Sequence, residues 1–171
     1  MAAQPSVPPT RRFRTLLGGM LGGILGTSGM IGLGLAVEAA AGLPLHELIP
    51  ELELGFGGPV AGAGVLGPEF ALPVHYLHGV LLGLVLAGFL LLDDRLEWAR
   101  QVPVWASGLL FGGVVSAVVF VILAATHGGA PTPGLAGLVV FLHFAFGGLA
   151  GLAIHRVRDG ILPRRGDAPG S

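Results

Sequence analysis

His75 to Leu92 reads HYLHGVLLGLVLAGFLLL, eighteen residues without a charge that open on one imidazole and carry a second three places later. A helix rises ~1.5 Å per residue and the hydrocarbon core of a bilayer is ~30 Å thick, so about twenty such residues cross it. With Val74 in front, the run predicts a membrane span over Val74–Leu92. The same criterion predicts three more, at Leu16–Ala41, Val104–Thr126 and Leu135–Ile154. Backbone groups in lipid must be satisfied inside their own segment, which makes the four runs helices. Barrel strands would be shorter and would alternate polar with apolar residues, which these runs do not.

Composition agrees. The chain has 171 residues, 53% of them hydrophobic and 11% charged, with a mean hydropathy of +0.82, too apolar for a soluble domain and suited to a lipid solvent. Its 31 glycines sit inside apolar stretches rather than polar tracts, so they read as packing residues and not as linker. There is no cysteine, which excludes disulfides, thiolate metal sites, cysteine nucleophiles and covalent c-type haem attachment. A formal charge of -1 offers nothing to a nucleic acid.

The arginines set the orientation. Arg11, Arg12 and Arg14 precede the first span, Arg95 and Arg100 lie between the second and third, and Arg156, Arg158, Arg164 and Arg165 follow the fourth. Positive residues stay inside, so both termini and the 93–101 loop are expected in the cytoplasm of a prokaryote, across its plasma membrane from the 42–73 and 127–134 loops. Trp98 and Trp105 flank the cytoplasmic loop, as interfacial aromatics do. Ala39-Ala40-Ala41 imitates a signal-peptide cleavage site, but the apolar run before it exceeds the ~7–15 residues of a signal core, which predicts a retained anchor. Residues 1–13 and 159–171 read as mobile tails around a 14–158 transmembrane domain.

Two echoes run through the spans. GGMLGG at 18–23 resembles GLLFGG at 108–113, about 90 residues on, and HYLHGVLLG at 75–83 resembles HFAFGGLAG at 143–151, 68 residues on. The expected fold is therefore an all-α integral membrane protein of four transmembrane helices, built from two parallel-repeat helical hairpins with roughly 22 extra residues in the first outer loop. That loop holds LPLHELIPELEL, with Leu45, Leu48, Ile49 and Leu52 on one face, and predicts an interfacial segment broken at Pro50. The uncharged GFGGPVAGAGVLGP after it reads as a lid or partial re-entrant stretch. Glycines four apart mark every span: Gly18, Gly22 and Gly26; Gly79 and Gly83; Gly108 and Gly112; Gly147 and Gly151. Such stripes let helix backbones approach closely in lipid.

His75 shares a helix face with Gly79 and Gly83, and His143 with Gly147 and Gly151. Inward glycine ridges would point both imidazoles into the bundle, where polar groups in membrane spans carry function. Counted from Asp93 and Arg156, however, the two differ in depth by about 7 Å. Three uses compete for them. A divalent metal site is expected from His75, His78, His127 and Glu38, with His46, Glu47, Glu51, Glu53 and Glu69 on the same side. Haem b is expected from an axial His75 and His143 pair, although no basic residue on that side meets the propionates. Small-solute or ion transport would draw on the same histidines with Thr27, Ser28, Ser107 and Ser116. His155, beside the arginines, reads as interfacial. Neither a GxSxG elbow nor a pair of carboxylates is present, so no catalysis is expected.

Over residues 16–155, with HYLHGVLLG and HFAFGGLAG as its motifs, the chain resembles small glycine-rich, four-span prokaryotic membrane proteins of uncharacterised function. That resemblance implies a duplicated two-helix hairpin and no activity. The glycine stripes predict association with other transmembrane subunits or with a second copy, besides lipid. The expected function is accordingly an accessory or scaffolding subunit of a larger membrane assembly, such as a respiratory complex. A haem- or metal-carrying subunit, or a transporter, is the alternative.

Overall fold

Prolines mark where the helices begin. The computed structural model describes residues 8–41, 71–93, 102–127 and 133–159, and within them four helices: α1 (Pro9–Ala41), α2 (Ala71–Asp93), α3 (Val104–His127) and α4 (Pro133–Asp159). Pro9 and Pro133 take the first helical position, where a missing N–H costs nothing and φ is already set. Just outside α1 and α3, the carbonyls of Pro8 and Pro103 accept the first-turn amides of Arg11 and Ala106, at 3.0 and 2.9 Å. All four helices are long and apolar enough to cross a membrane, which fits a multi-pass membrane protein.

Two boundaries differ from expectation. Residues 9–13, placed by sequence in the N-terminal tail, form the first turns of α1, because a helix need not stop where the apolar run stops once Pro9 has nucleated it. At the other end α4 runs on past Ile154 to Asp159 and carries Arg156 and Arg158 in its last turn, where cations complement the helix dipole. The interfacial segment and lid expected within 42–70, and the loop with Arg95, Trp98 and Arg100, lie outside the described residues.

Helix α1 lies between α2 and α4, and α3 packs on the far side of α4, while α2 touches α3 and α4 sparsely. Three of the four sides of the bundle are therefore backbone seams. In the α1/α2 seam, a methyl group placed on Gly19 would sit 2.6 Å from the Gly83 carbonyl oxygen, and one on Gly23 would overlap the Gly79 carbonyl. In the α1/α4 seam, Gly18, Gly22 and Gly26 bring their Cα atoms against Ile154, Ala150 and Phe146. The α3/α4 seam repeats the first: Gly108 meets the Gly147 carbonyl, Gly112 the His143 carbonyl, and a methyl on Gly151 would stand 2.8 Å from the Val104 oxygen. No side chain fits between such surfaces, so dispersion between backbones replaces the hydrophobic drive that lipid cannot supply.

Large side chains close the fourth side. Leu86, Ala87 and Leu90 of α2 join Ala150 and Ile154 of α4 in a core completed by Val104 and Phe111 of α3. Leu82 and Phe111 pack on a second core of Val115, Val119 and Val139, and the Phe89 and Phe111 rings lie 6.4 Å apart. Outside, Leu25, Leu77, Leu81, Leu110, Val114, Val118 and Phe141 are exposed, an apolar girdle of the kind lipid solvates. The antiparallel seams fix the ends. The start of α1, the end of α2, the start of α3 and the end of α4 share one end of the bundle, and Arg11, Arg12, Arg14, Arg156 and Arg158 are all there.

Candidate functional site

Towards the opposite end, α1, α2 and α4 leave a small recess. Helix α1 contributes Thr27 and Met30, α2 contributes His75, His78, Gly79 and Leu82, and α4 contributes His143 and Phe146. The space holds about one water molecule and opens to the exterior. The two histidines singled out by the sequence echo thus line one recess, together with His78. The expected depth mismatch is small: His75 stands 18 residues before the end of α2 and His143 16 before the end of α4, about 3 Å of rise. Arg156 was a poor marker of the membrane edge because α4 continues beyond it.

Local bonding fixes the rings. His143 is buried, 4% exposed, and its Nδ1 donates to the Val139 carbonyl one turn back at 2.7 Å. His78 makes the same bond to Val74 at 3.1 Å. A carbonyl only accepts, so both neutral rings carry the proton on Nδ1 and the lone pair on Nε2. Beside them the Ser28 and Tyr76 hydroxyls bond at 2.9 Å across the α1/α2 seam.

Thr27 lines the inner wall of the recess. In the α3/α4 seam Gly147 faces the carbonyl of Gly108 and the amide of Gly112, and in the α1/α2 seam Gly83 faces the carbonyl of Gly19 and the amide of Gly23 in the same way. One turn outward Gly79 faces the carbonyl of Gly23 and the hydroxyl of Thr27, where the other hairpin has His143. Thr27, 1% exposed, is matched there by Ser116, 3% exposed, and Met30 lies one turn beyond Thr27.

Not every expected ligand converges. Glu38 is buried, 1% exposed, with neither carboxylate oxygen hydrogen-bonded. It sits eight residues beyond Met30 on α1, about 12 Å further along the axis, and does not line the recess. His127 ends α3, and its side chain lies outside the described residues, as do His46, Glu47, Glu51, Glu53 and Glu69. Among the described residues, no three His, Asp or Glu side chains form a group that could hold a metal ion. His155 is exposed at the arginine end, 3.0 Å from Asp159. A haem does not fit the recess: Gly79 and Gly83, which would have to lie flat against a macrocycle, are already in backbone contact with Gly23 and Gly19.

Sequence reasoning missed Gly19, Gly23 and Met30. The doublets Gly18-Gly19 and Gly22-Gly23 carried the signal for the first two, since adjacent glycine ridges on one helix imply two neighbours. Met30 had no periodic partner to mark it. No family model, curated protein or solved structure matches the chain.

Proposed function

We propose that this chain is a non-catalytic, multi-pass metal-cation carrier of a prokaryotic cytoplasmic membrane, taking its ion in the histidine recess. The observation that carries this reading is the convergence of His75 from α2 and His143 from α4 on one opening. Neutral imidazoles bind transition-metal cations, and among the described residues no carboxylate lines the recess to favour Na⁺, Mg²⁺ or Ca²⁺. The arginine end would be cytoplasmic, with both termini, and the recess would open outward. The two hairpins pack alike, Gly83 with Gly147 at an offset of 64 and their seam partners Gly19 and Gly23 with Gly108 and Gly112 at 89, which carries a histidine of each to the same end of the bundle. Equilibrium dialysis of the full chain in lipid nanodiscs tests the reading. A cation retained by the wild type and lost from the His75→Gln, His143→Gln double variant is expected; equal retention by both would contradict it.

The accessory or scaffolding role is the second reading. Its original support, the nine striped glycines, is spent on contacts inside the chain. What favours it now is a leftover face of α1, where Gly32, Ala36 and Ala40 are exposed four apart and Gly32 has nothing within 4 Å of its added Cβ. A second membrane chain retained through purification in mild detergent, and released by Ala36→Leu, would establish it.

A further inference from the structure

We infer that the recess is a copper(I) site whose ligands are His75, His143 and the thioether of Met30, an inference that rests on the cation-carrier reading. The donor set decides the metal. Zinc(II) is held by four tetrahedral ligands, or by three protein ligands and a water, and among the described residues no three His, Asp or Glu side chains come together for it. Oxygen-loving cations need several oxygen ligands, and among the described residues the Thr27 hydroxyl is the one side-chain oxygen at the recess. Two imidazoles and a thioether suit a soft cation content with two or three ligands, and among biological metals that is copper(I).

Charge points the same way. Every ligand is neutral, so a bound ion brings its full charge into an apolar setting, and the desolvation cost falls steeply from a divalent to a monovalent ion. The His143 ring is held for the purpose: its Nδ1–H bond to Val139 leaves Nε2 as the ligating nitrogen, the outer-sphere arrangement that orients metal-binding histidines. The space itself holds about one water molecule, enough for a bare ion and too little for a hydrated one, which favours a cation that gives up water readily.

The test is copper(I) titration of the full chain in lipid nanodiscs, under ascorbate and without oxygen, with bicinchoninate as competing chromophoric ligand. The wild type is expected to take up one equivalent, and Met30→Leu to bind at least ~10-fold more weakly with an unchanged thermal midpoint. Met30→Cys, which keeps a soft ligand, is expected to restore binding. Zinc(II) in place of copper(I) should not be retained. Wild-type copper(I) affinity in Met30→Leu would overturn the inference, as would retention of zinc(II) at the copper stoichiometry. If the His75→Gln, His143→Gln double variant then released that ion, only the soft-metal assignment would fall. If the double variant bound every ion as the wild type does, the carrier reading would fall with it.

Discussion

The two hairpins share a seam and differ at its outer end. In α3/α4 the seam runs Gly108 against Gly147 and Gly112 against the His143 carbonyl, then reaches Ser116, and both Ser116 and His143 are buried. In α1/α2 the seam runs Gly19 against Gly83 and Gly23 against Gly79, then meets Thr27; His75 and His78 beyond it stay half-exposed. Both seams end on a buried hydroxyl residue, Thr27 and Ser116, and they differ in what faces it: Gly79 in the first hairpin, His143 in the second. The lesson is that glycine placement here selects neighbours, and a histidine at one glycine step of the seam marks the site.

The strongest way to break the comparison is to fill a seam. Gly23→Leu or Gly147→Leu drives a side chain into a facing backbone carbonyl that cannot move without its helix. The cost is expected at or above the upper end of the ~1–3 kcal/mol typical of overpacking, seen as loss of the monodisperse species on size-exclusion chromatography. Folding of either variant at the wild-type midpoint would mean the seams are not packed as described.

Glu38 sharpens the contrast next. The second hairpin has no acidic residue between Val104 and Arg158, whereas the first buries a carboxylate with no hydrogen-bond partner. Replacing it by an apolar side chain of similar length removes a desolvated polar group, so Glu38→Met is expected to stabilise the fold by about 1–3 kcal/mol. A lower midpoint in thermal denaturation would show that the carboxylate has work of its own.

Thr27→Gly removes the hydroxyl packed on Gly79. Stability is expected to fall by about 1 kcal/mol, the cost of a helical glycine, while cation uptake falls as the recess loses that wall. Undiminished uptake would detach Thr27 from the site. The smallest effect is expected at Gly32→Leu, where nothing lies within 4 Å; a change within about 0.5 kcal/mol is predicted, and a larger loss in lipid than in detergent would reveal a partner on that face.

Much of this was legible beforehand. Length and hydropathy placed all four helices, because a bilayer dictates both, and the stripes at Gly79, Gly83, Gly108, Gly112, Gly147 and Gly151 named residues that do meet a backbone. Which helices neighbour which was not legible from single stripes: it needed the second ridge of α1, Gly19 and Gly23, which only a helix between two others requires. Apolar periodicity was also silent on the helix ends, since proline at the first helical position and arginine in the last turn extend α1 and α4 past the lipid-matched run. For the site, His75 and His143 were marked by polarity in an apolar setting. Met30 was not, because a methionine among leucines is hidden until the fold puts it beside imidazoles.

The claim on which the functional account turns is that His75 and His143, one from each hairpin, serve a single ligand. The chain contains no cysteine, so a His75→Cys, His143→Cys variant carries just two thiols. Its titration with mercury(II), followed by counting the thiols still reactive towards a maleimide, tests the claim directly. One equivalent of mercury protecting both thiols in a monomeric chain is predicted, because one ion bridges two sulfurs that share the recess. Two equivalents, with each thiol protected independently, would contradict it.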